Sequence, residues 1–315
     1  MSNVQRQMVS STDMTRLTLP TALFIIIALI VSPDLFGWRA AAQKTKPPAQ
    51  KNNTPPPVPE NLLKRTTTRR ENLRLGFGGT VTVVGAPNGS ITIEGWSKPE
   101  VEVIADLELN AANEDDLNRL APVNNVAVDS DSNHIRILTT GTHDKEFMRR
   151  AAKNFPKNLL GLPWRVDYRI RVPAVTDLEI NAGQGDIKLS GVEGAIRLSA
   201  TQGEATLVVT GGVLSATVTA GNVLLKIPSR SWRGDGADIR LAAGTLTVEL
   251  PAGFSGDIDA DILRSGNIED TYGALGSRER PGITSTVMRA RAGAGGPFFK
   301  FTVGVGTVSI KKLDL

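Results

Sequence analysis

Glycine recurs at Gly185, Gly194, Gly203, Gly212 and Gly221, every ninth residue without slippage. Two residues after each glycine stand Ile187, Ile196, Ala205, Leu214 and Val223, and four after stand Leu189, Leu198, Leu207, Ala216 and Leu225. Apolar and polar residues alternate inside each unit, so a strand period is nested in a longer repeat, the mark of stacked units. A unit of nine fits one strand of about five residues and a corner. Two units then make a flattened coil of about eighteen, with one strand in each of two facing sheets. Glycine suits the corners, where positive φ or close backbone approach is required. The inward aliphatic residues of residues 178–227 are too few to offset the ordering of that segment alone, so flanking strands must share its core.

The rest of the composition agrees with an all-β chain. The 315 residues include 31 glycines, and aromatic residues make up only 5%. There is no cysteine, which excludes disulfides, thiolate catalysis and cysteine-ligated metal clusters. The net charge of +4 is unevenly placed. Residues 43–70 hold seven lysines and arginines against Glu60 alone, so the remainder of the chain is expected to be slightly acidic. That excludes a basic body built for nucleic acid.

The first 42 residues read as an export segment. Arg6 and Arg16 precede an apolar run from Leu17 to Val31, shorter than the roughly 20 residues of a membrane span. Pro33 and Gly37 follow, then Ala40-Ala41-Ala42, small residues suited to cleavage after Ala42. The alternative is a retained anchor, which would confine membrane contact to residues 17–31. Both place the remainder outside the cytoplasm, in the periplasm, at the cell surface or in the medium. Residues 43–70, with Pro47-Pro48 and Pro55-Pro56-Pro57, read as a disordered Pro/Lys-rich linker. Residues 71–315 are the expected folded domain.

Alternation predicts strands around Val81–Val83, Ile91–Ile93 and Val101–Val103, with a turn at Pro87-Asn88-Gly89. Asn113 is placed to cap a short helix with Glu114, Asp115 and Asp116 in its first turn and Leu117 and Leu120 inward. Strands at Val126–Val128 and Ile135–Ile137 flank a polar turn. Its Asp129 and Asp131 lack the glycine and terminal glutamate of a calcium loop. Residues 142–165 are the least strand-like stretch, with Glu146–Ala152 expected to be helical. There Arg149, Arg150, Lys153, Lys157, Trp164 and Arg165 form a candidate surface for an acidic polymer; the alternative is a helix capping one end of the sheets. His134 and His143, the only histidines, have no partner at metal-ligand spacing.

Beyond the repeat, Arg233-Gly234-Asp235 matches an integrin-recognised tripeptide, a three-residue coincidence. Asp257, Asp259 and Asp261 share one strand face, which suits calcium or sugar chemistry but more commonly a solvated surface. Phe299–Val303 and Thr307–Ile310 are expected to form a final hairpin. The residue after each repeat glycine is Asp186, Ala195, Glu204, Val213 and Asn222, so the recurring aspartate of calcium-binding nonapeptides is missing. No catalytic triad, phosphate loop or dinucleotide fingerprint is present, and no cofactor is expected.

Three segments carry a resemblance: Gly79-Thr-Val81-Thr-Val83 to Gly89-Ser-Ile91-Thr-Ile93, Tyr168-Arg-Ile170-Arg-Val172-Pro173, and Asn181–Gly191. In these the chain resembles the bacterial putative-adhesin family, solenoid-like domains of unknown function, over roughly residues 71–315. The resemblance implies a flattened β-solenoid of two stacked-strand sheets with short helical insertions. It implies no catalytic or binding residues. The expected function is an exported, non-enzymatic, adhesin-like module of the cell envelope. Its partner would be an envelope polymer, a glycan or a protein, and not nucleic acid. The alternatives are a membrane-anchored envelope-stress or signalling accessory and, third, a carbohydrate-active enzyme using the three aspartates.

Overall fold

The computed structural model describes residues 61–313. The stretches read from sequence as an export segment and, up to residue 60, as a linker lie outside the described residues. The elements begin with β1 (Leu63–Arg74), β2 (Thr80–Val84), β3 (Ile91–Trp96), β4 (Glu100–Ala111), α1 (Glu114–Leu120), β5 (Asn125–Ser130) and β6 (His134–Thr140). Then come α2 (Lys145–Ala151), a 3-10 turn at Lys157–Leu159, β7 (Trp164–Pro173), β8 (Asp177–Gln184) and β9 (Ile187–Ser190). Five longer or bent strands dominate the remainder: β10 (Ala195–Val208), β11 (Gly211–Lys226), β12 (Arg233–Leu250), β13 (Gly256–Asp270) and β16 (Phe298–Lys312). The short β14 (Leu275–Ser277) and β15 (Val287–Ala292) precede β16.

Hydrogen bonding joins all sixteen strands, and the long strands divide them into two rows. The first row runs β5, β6, β2, β8, then the first halves of β10, β11, β12, β16 and β13, then β15 and β14. The second runs β1, β4, β7, β3, β9, then the second halves of the same five strands. Alternate side chains from both rows enter one hydrophobic core, among them Leu198, Leu207, Leu214, Leu225, Ile239, Phe299 and Phe301.

Within the glycine repeat the register advances by two units per return. Ile196 lies between Leu178 and Leu214, and Leu207 lies between Leu189 and Leu225, all in parallel pairing. Alternate glycines of the repeat therefore stack on one corner. That column runs Gly89, Gly185, Gly203, Gly221, Gly244, Gly306 and Gly266, every member at φ between +132 and +143. A Cβ added at Gly221 would overlap the carbonyl oxygen of Gly203, and one at Gly244 would overlap that of Gly221. The column thus has room only for hydrogen and a backbone only glycine adopts cheaply. Gly212 and Gly234 stack on Gly194 at the opposite corner.

Two features differ from the sequence expectation. First, β1 starts at Leu63, inside the stretch read as linker, and pairs antiparallel with β4 along its whole length. Its alternation is weak because it is an edge strand exposed on one side, with Lys64, Arg65, Arg69 and Arg70 as the charges expected of such an edge. Those four cations belong to the folded body rather than to a tail. Second, the final hairpin is absent. Residues 298–312 are one strand bent at Gly306, inserted in parallel between β12 and β13. Short-range alternation cannot distinguish a bend from a reversal. Residues 239–250 behave likewise, lying in one strand, β12, bent at Gly244.

The helix expected after Asn113 is present. The Asn113 side chain accepts from the Asp116 N–H, and Leu117 and Leu120 are buried. α1 covers the open end of the core beside β1, where Arg65 pairs with Glu114 and Arg69 donates to the Val126 carbonyl of β5.

Candidate functional site

The excursion between β6 and β7 gathers most of the candidate surface. α2 begins because the Asp144 carboxylate accepts from the Glu146 and Phe147 N–H groups at 2.9 and 3.0 Å. Met148 and Leu159 turn inward and fix the segment on the core. That leaves Arg149, Arg150, Lys153 and Lys157 exposed. Arg150 and Lys153 line a shallow groove with Phe155, Pro156 and, from α1, Arg119. Arg149 and Lys157 line its continuation beside Leu160, which is 41% exposed. Arg149 has a loose partner in Glu146 at 3.5 Å. Among the described residues Arg119, Arg150, Lys153 and Lys157 have no carboxylate within 4 Å.

Two of the six sequence candidates are elsewhere. Trp164 is buried and its ring faces His143 at 5.3 Å, so it anchors β7 rather than offering a binding face. Its large apolar ring is better accommodated in the core than in water. Arg165 projects from the outer face of β7 and pairs with Asp167 at 2.6 Å. Arg119 was missed because it lies on a different helix, some thirty residues earlier, and only tertiary packing unites the two. Desolvation lowers the His143 pKa, against the opposing pull of Asp144.

The aspartate face of β13 is occupied by arginines. Arg291 binds Asp257 at 2.7 Å, Arg278 binds Asp259 at 2.6 Å, and Arg289 binds Asp261 at 2.7 Å. The Arg291 hydrogen bond holds Asp257 below its usual pKa. Asp259 is pushed up, because its burial outweighs the pull of Arg278 and Arg289. The ladder ties β13 to β15 and to Arg278 just beyond β14, and each of its carboxylates is engaged by an arginine. Elsewhere, Asp131 accepts from the Asn133 and His134 N–H groups and so closes a turn rather than a calcium loop. Arg233 of the Arg-Gly-Asp tripeptide is paired with Glu193, and Gly234 stacks on Gly212. Among the described residues no group of three or more His, Asp or Glu side chains is placed to hold a metal. No described helix is long and apolar enough to cross a membrane.

No family model matches the chain, and no curated protein is similar to it. Solved structures of similar shape do exist. One is a putative cell adhesion protein from Clostridium sporogenes, 14% identical, covering 79% of this chain and 100% of that one at a TM-score of 0.47. A putative adhesin from Bacteroides fragilis is 11% identical over 78% of this chain and 97% of its own, with a TM-score of 0.30. A second putative adhesin, from Parabacteroides merdae, is 8% identical over 78% and 96%, with a TM-score of 0.23. The chain is similar in shape to bacterial structures named as adhesins.

Proposed function

We propose that the described body is a flattened β-solenoid acting as an exported, non-enzymatic, adhesin-like module of the cell envelope. Its binding surface is the groove of Arg119, Arg149, Arg150, Lys153 and Lys157, and its ligand is an anionic envelope polymer. The observation that carries this is the convergence, from α1 and the α2 excursion, of four cations without carboxylate partners beside the exposed Leu160. Cations left unpaired on a rigid surface favour a repeating anion, and many weak contacts along a polymer add through avidity. The export segment delivers the module to that polymer. The occupied aspartate face speaks against the carbohydrate-active enzyme.

The test is binding of a phosphate-repeat polymer such as teichoic acid to the full chain. The variant Arg150→Glu/Lys153→Glu/Lys157→Glu is expected to lose affinity by about tenfold or more, and wild-type affinity to fall steeply with salt. A control at Lys188→Glu, on the outer face of β9, is expected to change little. Equal loss in both variants would refute the groove as the site. Sequencing the amino terminus of the exported chain separates the released module, beginning at Gln43, from an anchored signalling accessory.

A further inference from the structure

The turn between β1 and β2 presents an apolar side chain that the fold does not use. Phe77 is 94% exposed. Its turn closes by a bond from Gly79 N–H to the Gly76 carbonyl at 3.0 Å, with Gly78 at φ +69. That is the geometry of a type II turn, which holds the residue at its second position outward. The turn is also tied to its neighbours, Gly76 N–H to the Ser132 carbonyl at 2.9 Å and Leu75 N–H to the Pro99 carbonyl at 3.5 Å. Phe77 is therefore displayed on a fixed support.

Around it Leu75, Trp96, Pro99, Pro173 and Val175 form one apolar hollow, with Val175 46% exposed. The Trp96 indole N–H is already satisfied by the Glu100 carbonyl at 2.7 Å, and the Lys98 ammonium lies 4.8 Å from the ring centre. Lys98 lines the hollow and the exposed Arg74 immediately precedes Leu75 at the end of β1; among the described residues neither has a carboxylate within 4 Å. Glu100 stands opposite Arg74 in the β1–β4 register without forming an ion pair. A lone exposed phenylalanine is ordinary. A protruding phenylalanine beside a tryptophan whose polar atom is satisfied, rimmed by two unpaired cations, is the pattern of a membrane-interface contact.

We propose that this tip docks the folded body onto an anionic phospholipid bilayer. Phe77 enters the headgroup–acyl boundary, while Arg74 and Lys98 meet the lipid phosphates. The contact lies within the folded domain, separate from residues 17–31, and does not depend on the cationic groove. Charge complementarity selects the occupant, because unpaired cations beside an apolar protrusion suit an acidic, apolar-backed surface.

The chain has no cysteine, so Phe77→Cys carries a single environment-sensitive nitrobenzoxadiazole label on the full-length protein. Asn222→Cys, exposed beside the glycine column at the opposite corner, is the reference site. With phosphatidylcholine vesicles containing about 30 mol% phosphatidylglycerol, emission at position 77 is expected to rise about threefold and shift to the blue, and to revert in high salt. Position 222 is expected to stay unchanged. Adding Arg74→Glu and Lys98→Glu to the labelled chain is expected to raise the lipid concentration required by about tenfold or more. Equal responses at positions 77 and 222 would overturn the proposal, since the apolar segment alone would then account for binding. So would an equal response on pure phosphatidylcholine, or no vesicle response at all, which would leave the patch to a protein partner. The groove variant with three glutamates is expected to leave the vesicle signal unchanged, so the two surfaces fail separately.

Discussion

The corner at Gly221 and the segment 141–163 occupy equivalent places in the two rows. Each carries the chain from a first-row strand to a second-row strand, between the halves of β11 in one case and from β6 to β7 in the other. The first takes a single positive-φ glycine, while the second takes α2, a 3-10 turn and the cationic groove. The difference lies in their neighbours. Gly221 has Gly203 on one side and Gly244 on the other, each at van der Waals limit. Strands about 4.8 Å apart leave no room for an insertion between them. The glycine column stops at Gly89, whose next neighbour is Val166 of β7, where the excursion rejoins the body. Among the described residues no further parallel strand follows there; residues after α1 flank the corner instead, Asn124 accepting from the Thr142 N–H, and the corner had room to grow. Insertions, and the chemistry they carry, are accommodated where the run of stacked corners ends.

The strongest way to break this comparison is to make an interior corner terminal. Removing residues 298–315 deletes the strand between β12 and β13, and with it the backbone that covers Gly244 and Gly266. We expect loss of cooperative unfolding by circular dichroism and rapid proteolysis; a sharp transition near the wild-type temperature would show that β12 and β13 do not need it. A smaller perturbation is Gly221→Ala. It combines backbone strain with overlap against Gly203, and is expected to cost about 3 kcal/mol or more, or roughly 6–12 °C in melting temperature. Gly161→Ala, in the excursion, meets nothing within 4 Å and should stay within about 0.5 kcal/mol. Similar costs at both positions would contradict the assignment of crowding to interior corners alone.

The corners at Gly185, Gly203 and Gly221 were legible in the sequence because each obeys a local rule nine residues long, which Gly244, Gly306 and Gly266 do not. The inward columns, the eighteen-residue return and the Asn113 cap follow from the same kind of rule. What escaped were relations set by distant parts of the chain. The edge strand β1 looks like linker because half its side chains face solvent and its partner β4 supplies the pairing. The position of β16 between β12 and β13 has no local signature, since a bent strand and a hairpin share the same alternation. At the candidate surface, cationic spacing marked Arg149 through Lys157. Burial of Trp164 beside His143, and the placement of Arg119 on the same groove as residues 150–156, are set by tertiary structure and have no local signature.

The far end of the sheet sharpens the comparison, because there the outer face is closed by paired charges. Asp257 is held below the usual carboxylate range by Arg291, so it stabilises the fold above its unfolded pKa of about 3.8. That contribution is lost as pH falls through the lower folded value. Asp257→Asn is therefore expected to cost about 1 kcal/mol at pH 7, kept small because Arg291 is 48% exposed, and progressively less as pH falls below about 3.8. Asp259 is shifted the other way, so its own pKa shift favours the fold below its unfolded pKa and is lost as pH rises through the folded value. Chemical denaturation of the two asparagine variants across pH would separate them. Parallel pH profiles would mean that the ladder acts as one unit rather than as opposed sites.

The least costly probe concerns the root of the excursion. Tyr168 lies two residues past Val166, almost fully buried, with its hydroxyl 2.6 Å from that of Thr139. Burial pushes its pKa up to about 12 from 10.0, against the opposing Thr139 hydrogen bond. The neutral form is the one the fold accommodates. Its contribution is full below about pH 10 and is lost as pH rises through about 12. In a Tyr272→Phe background, absorbance at 295 nm should show the remaining tyrosine protonated at pH 11 while circular dichroism still reports a folded chain. Tyr168→Phe leaves Thr139 its bond to the Val84 carbonyl at 2.8 Å and should cost only about 1 kcal/mol. Ionisation near pH 10 in the folded state would mean that water reaches the ring from the excursion side. The enlarged corner would then be a looser joint than the glycine corners it stands beside, rather than a rigid platform for the groove.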